Sequence, residues 1–152
     1  MKKLVSILLL AAIVFTLAAC GGKKEAVPVN LRDVMAKFTL GDEMLSLDEN
    51  DLLDLYGIKS EDVKQFAGAV NTSGIKCDEI VMIEAVDASA AGRVKSALDN
   101  RYQAKLNEME NYIPEEYAVI KECSVTASGN FVAMIVSRNA AELTKTYAEA
   151  IK

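Results

Sequence analysis

The chain has 152 residues, with 17 Lys+Arg against 22 Asp+Glu, a net charge of −5, three Cys, no His and no Trp. The missing His excludes His-based triads, His general bases and His metal ligands. An acidic chain without a basic cluster also argues against nucleic-acid binding through phosphates, and the roughly 130 residues behind an apolar leader suffice for one core but not two.

The leader, residues 1–19, reads MKKLVSILLLAAIVFTLAA. Lys2 and Lys3 form a positive start, the following run is interrupted only by Ser6 and Thr16, and small residues precede Cys20, which is the layout of a secretory signal. As a helix the apolar run spans about 24 Å, short of the roughly 30 Å hydrocarbon core, so an uncleaved membrane helix fits less well. Leu17-Ala18-Ala19-Cys20-Gly21 resembles the bacterial lipobox. That resemblance implies that the Cys20 thiol takes a diacylglyceryl group, that residues 1–19 are removed, and that the new amino group is open to acylation. Each buried methylene contributes about 0.8 kcal/mol, so two acyl chains give a lasting anchor at the extracytoplasmic face of the cell membrane. Residues 20–29 then form a linker; the nine residues after Cys20 span at most about 30 Å, which keeps the domain at 30–152 near the bilayer. Lys23 and Lys24 read equally well as headgroup contacts or as an ordinary solvated flank.

Asn30 reads as an N-cap, and Leu31, Val34, Met35 and Phe38 mark a short amphipathic helix closed near Gly41. Between residues 42 and 54 stand six acids and no base: Asp42, Glu43, Asp48, Glu49, Asp51 and Asp54. Leu52 and Leu53 occupy places where an EF-hand requires an oxygen ligand and glycine, so a solvated helix start is expected here rather than a cation site, and no metal is expected. A helical segment over 48–56 ends at Gly57. Residues 63–70 are a weaker strand candidate, followed by an Asn71-Thr72-Ser73-Gly74 turn. Residues 79–86, apolar on both faces, predict a central strand.

Asp87 or Ser89 caps a long helix over about 89–112, striped by Val94, Leu98, Tyr102, Leu106, Met109 and Ile113, and Pro114 blocks its continuation. Strands are expected over 117–126 and 130–137, joined by a turn at Ala127-Ser128-Gly129. Asn139 is expected to cap a last helix with Glu142 at N3, lined by Leu143, Tyr147 and Ile151. Strand, turn, strand, helix therefore occurs twice after residue 60. Two ββα units predict an α+β fold: a four-stranded, mainly antiparallel sheet, helices on one face, and short N-terminal helices at an edge.

Glu79-Ile80, Asp87, Arg101, Tyr112-Ile113-Pro114 with Tyr117, and Gly129-Asn130-Phe131-Val132 recur in that order and spacing in a known family. On these residues the chain from about 31 to its end resembles the small bacterial lipoproteins of domain-of-unknown-function family 4358. The resemblance implies a lipoprotein with an α+β domain. It carries no activity and no functional residue.

Site candidates are sparse. Cys77 and Cys123 are expected to be free and buried, because the topology above separates them by about 20 Å and a disulfide needs Cα atoms within about 7 Å. Without His to activate it, a Cys nucleophile is not expected. Glu79 with Glu84 and Glu108 with Glu115 are carboxylate pairs on paper only, since 22 acids make such pairs unavoidable. Glu84 interrupts an apolar strand, and Arg101 beside the helix stripe either binds a carboxylate ligand or pairs with a neighbouring acid. Tyr102, Tyr112, Tyr117 and Tyr147 either ring a groove or pack with their hydroxyls at the rim. The ligand-binding candidates are thus Arg101, Tyr102 and Glu84, beside the lipidation site Cys20. No catalytic residue, cofactor or nucleic-acid partner is expected. The function expected is a binding or interaction module docking onto an envelope or membrane protein; the alternative is a small-ligand or cation-binding accessory lipoprotein of a transporter.

Overall fold

The computed structural model describes residues 28–152. The leader, Cys20, Lys23, Lys24 and most of the linker lie outside the described residues.

The elements follow in order as α1 (Leu31–Met35), β1 (Met44–Ser46), α2 (Glu49–Tyr56), a 3-10 turn at Ser60–Asp62, β2 (Val63–Asn71), β3 (Glu79–Ala85), α3 (Ala88–Glu110), α4 (Pro114–Lys121), β4 (Ser124–Ser128), β5 (Phe131–Val136) and α5 (Ala140–Ala150). One α+β domain results, built on an open antiparallel sheet of order β1-β2-β3-β5-β4. All seven residues of β3 are buried, which is why its apolar run shows no alternation. On one side it pairs with β2, placing Gln65 opposite Glu84 and Val70 opposite Glu79; on the other it pairs with β5, placing Val136 opposite Glu79.

Local chemistry explains the helix ends. Asp48 and Asp51 form a reciprocal capping box on α2, and Gly57 closes that helix in the left-handed region at φ 66°. Asp87 accepts the Ala90 N–H at the start of α3. Asn30 caps α1, which stops at Met35 rather than running to Phe38. Asn139 departs from expectation: it makes no side-chain cap bond to α5, and its Oδ1 lies 2.7 Å from the Ser137 hydroxyl instead.

Three larger expectations are corrected. The sheet has five strands rather than four, because Met44–Ser46 adds an edge strand beside β2. Three residues inside an acidic run are too short to display a period of two. Residues 114–121 are a helix, so 117–121 are not the first part of the strand expected over 117–126. Pro114 both stops α3 and occupies the first turn of α4, with Glu115 and Glu116 behind it and Lys121 in the last turn, as helix-start proline and the helix dipole favour.

Helices also cover both faces, not one. Glu79 meets Arg101 and Lys105 of α3, whereas Glu84, five residues on, meets Gln65, which reaches the start of α1. Alternation along β3 therefore assigns α3 and α1 to opposite faces. The last helix, α5, packs against α1 and β5. A strand apolar on both sides needs a layer on each. The two ββα units, β2-β3-α3 and β4-β5-α5, are both present but send their helices to different faces, with α4 inserted between them.

Close approach fixes one glycine. A Cβ at Gly68 would stand 2.6 Å from Leu47 Cδ1 and 2.9 Å from the Ile80 carbonyl oxygen, whereas one at Gly92 in α3 meets nothing within 4 Å. Gly68→Ala is expected to lower stability by about 1–3 kcal/mol through overpacking. Gly92→Ala is expected to raise it by about 0.5–1 kcal/mol through helix propensity. Urea unfolding of both variants checks the contrast.

Candidate functional site

Three buried glutamates organise the charged groups of the domain. The deepest is Glu79, whose side chain is fully buried at the start of β3. Arg101 grips it with two parallel bonds, Nε to Oε1 and Nη2 to Oε2, both 2.9 Å, and Lys105 Nζ adds a third contact at 2.9 Å to Oε2. Arg101 and Lys105 are four apart on α3, so one helix face presents both cations to one carboxylate. Burial works to raise the Glu79 carboxyl, but the Arg101 hydrogen bonds and the Lys105 charge outweigh it and hold the group below its ordinary value. Arg101 also lies over the Tyr56 ring, 5.8 Å from its centroid. The Tyr56 hydroxyl is buried near Glu79 without hydrogen-bond geometry, and burial and then the Glu79 charge raise its pKa.

Glu84 leaves the other face of β3. Lys64 Nζ reaches its Oε1 at 2.6 Å and Gln65 Nε2 its Oε2 at 2.5 Å. Gln65 Nε2 also donates to the Val29 carbonyl at 2.7 Å, and its Oε1 accepts the Leu31 N–H at 2.9 Å. Glu84 therefore ties down the chain just where residues 20–29 join the domain.

Glu116, on α4, is almost wholly buried and sits behind a surface cleft. Its Oε2 accepts the Cys77 N–H at 2.9 Å, while Lys76 Nζ, at 3.4 Å, and Arg138 Nη2 both approach its Oε1. Burial again acts upward on this carboxyl and is overcome by the Cys77 thiol and N–H, Arg138 and Lys76. Two cations thus share one anion, leaving a net positive charge, and their side chains are 46% and 51% exposed.

Those cations line a cleft of about 540 Å³ at the end of the sheet where β2 turns into β3 and β5 leaves for α5. Its other walls include Leu40, Asp42, Glu43, Met44, Asp78 and Ile80. Ser137 Oγ donates to the Asp78 carboxylate at 3.0 Å, and Asn71 Nδ2 donates to the Asp42 carbonyl at 3.0 Å. Glu43 holds the left-handed region at φ 60°, uncommon for a residue other than glycine, and its carbonyl accepts the Thr72 N–H. The cleft lining thus combines cationic, acidic and apolar residues.

The ligand-binding candidates read from sequence do not converge here. Arg101 is engaged with Glu79, Glu84 lies on the opposite face with Gln65, and the Tyr102 hydroxyl reaches the Ile120 and Cys123 carbonyls at 2.9 and 3.0 Å. Glu79 and Glu84 are separated by the sheet and form no pair. The tyrosines do not ring one groove: Tyr112 is 64% exposed, while Tyr147 is buried on α5. Of the acidic run, Asp48 and Asp51 are consumed in the α2 cap, while Asp42 and Glu43 line the cleft. Among the described residues no three His, Cys, Asp or Glu side chains are grouped to hold a metal ion.

Cys77 and Cys123 are free and buried, as expected, but the reason differs. Cys123 precedes β4 and Cys77 precedes β3, and these strands run parallel with β5 between them. Two inter-strand spacings, about 10 Å, keep them apart. Burial and then the Glu116 carboxylate push the Cys77 thiol up to about 12, so it stays protonated at neutral pH. Lys76, Glu116 and Arg138 escaped the sequence reading because they come from three separate elements with no shared spacing.

A family model described as a domain of unknown function, DUF4358, matches residues 37–137. The chain belongs to the DUF4358 family. The match runs from just before β1 to the end of β5, so α1 and α5, which share the second face, lie outside it. Five of the residues that carried the DUF4358 resemblance have structural roles: Glu79 and Arg101 form the buried ion pair, Asp87 caps α3, Pro114 opens α4, and Gly129 takes φ 57° between β4 and β5. Comparison with curated proteins and with solved structures gives no match.

Removing one partner of a buried pair leaves an uncompensated charge, so Glu79→Gln is expected to lower stability by about 3–5 kcal/mol in urea unfolding. A carboxylate with a lowered folded pKa stabilises the fold above its unfolded value and loses that contribution as pH falls through the folded one. Glu79, Glu84 and Glu116 are all shifted down from an ordinary value of 4.5. The urea midpoint is therefore expected to stay level from pH 7 to about 5 and then fall steadily below about 4.5. A midpoint that rises on acidification contradicts this assignment.

Proposed function

We propose that this DUF4358 protein is a lipoprotein anchored through Cys20 at the extracytoplasmic face of a bacterial membrane, and that its domain is a binding module. The leader and lipobox support the anchor, and the two-signed cleft supports the binding role. The observation that carries the reading is the placement of that cleft. The tether joins the domain at Val29, held by Gln65 near the start of β2, and the cleft takes in Asn71 at the end of the same strand. Six residues of strand separate the two by about 20 Å. A protein held at the Val29 end presents the cleft at the other end of β2 away from the bilayer, where a ligand arrives.

Docking onto an envelope or membrane protein is the second reading. Leu45 on β1 and Leu53 and Leu55 on α2 favour it, since they stand exposed on consecutive elements.

Cys20→Ala is expected to abolish the acyl addition and to leave residues 1–19 attached, because cleavage follows lipidation, and the mass of the intact protein reads both. Wild-type protein is expected to begin at a diacylglyceryl Cys20. A wild-type mass that retains residues 1–19, or that carries no acyl addition, contradicts lipidation and supports an uncleaved membrane segment.

A further inference from the structure

We propose that the cleft binds a small zwitterion with an apolar body, an amino acid or short peptide, whose carboxylate lies against Arg138 and Lys76 and whose ammonium lies against Asp78. This rests on the binding-module reading and names its ligand class.

The argument begins with unspent donors. Arg138 offers five N–H groups and Lys76 three, and each directs a single contact at the same Glu116 oxygen. Glu116 itself is buried and engaged: its side chain is 3% exposed, and its second oxygen is committed to the Cys77 backbone. It fixes the two cations side by side while neutralising only one. A guanidinium with a free edge next to an ammonium suits a second carboxylate, which binds through paired N–H bonds and completes the charge balance.

The lining also carries the opposite sign. Asp78 is oriented by the Ser137 hydroxyl at 3.0 Å, and Asp42 and Glu43 stand beyond it in the loop that the Asn71 side chain and the Thr72 N–H bind. A simple anion would meet repulsion there, and a simple cation would meet repulsion from Arg138 and Lys76. A molecule carrying both charges meets neither. Leu40, Met44 and Ile80 give the cleft an apolar wall for an aliphatic side chain. A volume of about 540 Å³ falls within the usual range for small-ligand sites, with room for more than a single amino acid.

The test is isothermal titration of the full-length protein in detergent with leucine, leucyl-leucine, N-acetyl-leucyl-leucine, leucyl-leucine amide, inorganic phosphate and calcium. Leucine or leucyl-leucine is expected to bind, and blocking either end is expected to weaken binding at least tenfold, about 1.4 kcal/mol. Arg138→Gln and Lys76→Gln are each expected to weaken the free peptide at least tenfold while leaving the amide, already without its carboxylate, unchanged. A loss of fold would instead weaken every probe and lower the melting temperature. Asp78→Asn is expected to show the reverse selectivity, sparing the acetylated peptide. Blocked peptides binding as tightly as free ones would overturn the proposal. So would phosphate or calcium alone binding more tightly than either zwitterion, or no zwitterion binding at millimolar concentration. The mass of the wild-type protein keeps the anchor question separate: zwitterion binding by a protein without acyl chains retains the cleft and removes the lipid anchor, whereas an acylated protein indifferent to zwitterions removes the ligand and retains the anchor.

Discussion

Glu79 and Glu84 are five residues apart on one strand, so their carboxylates leave β3 from opposite faces, Glu79 secured by Arg101 and Lys105 of α3 and Glu84 by Lys64 and Gln65 of the neighbouring strand β2. Burying a carboxylate is costly unless its charge is balanced and its oxygens are bonded. Glu79 satisfies this only when α3 lies across the sheet with Arg101 and Lys105 facing it. Glu84 satisfies it only when Gln65 is opposite, and the same Gln65 holds Val29 and Leu31. A one-residue slip of β3 would exchange the two faces and leave both carboxylates without partners. The pair of glutamates thus sets the register of the central strand.

That register determines what lies at each end of the molecule. Glu84 stands near the end of β3 and Glu79 at its beginning, beside Asp78 and Cys77. The tether therefore meets the domain at the Gln65–Glu84 end. The Glu116, Lys76 and Arg138 cluster, with the cleft it charges, forms at the Asp78 end. Proposed anchoring and proposed binding fall on opposite ends of one β2–β3 hairpin, with the ion pair behind Glu79 holding α3 across its back.

Much of this fold was legible where a single segment contains its own signal. Asp87, Gly57 and Gly129 act at the helix and hairpin ends their chemistry implied, and the unbroken run from Glu79 marked a strand buried on both sides. Arg101 finding a nearby acid also followed from a guanidinium beside an apolar stripe. Less was legible where one residue carries two meanings. Pro114 ends one helix and begins another, and reading only the first meaning turned α4 into a strand and misplaced Cys123. The edge strand Met44–Ser46 is too short for periodicity to register. The cleft was the least legible feature, because Lys76, Asp78, Glu116, Ser137 and Arg138 are gathered by topology alone; nothing in their spacing along the chain distinguishes them from a solvated surface.

The opposition of tether and cleft is tested most directly by depth in a membrane. Ser60 lies exposed beside Gln65 and Asn30, whereas Ile75, 57% exposed, stands in the β2–β3 turn at the cleft end. Both native cysteines of the domain are buried, so Ser60→Cys and Ile75→Cys can each carry a fluorophore selectively on the lipidated protein. In vesicles containing a headgroup-attached quencher, the account predicts strong quenching at position 60 and weak quenching at position 75, consistent with the roughly 20 Å of strand between the two ends. Equal quenching at both positions, or stronger quenching at 75, would contradict it.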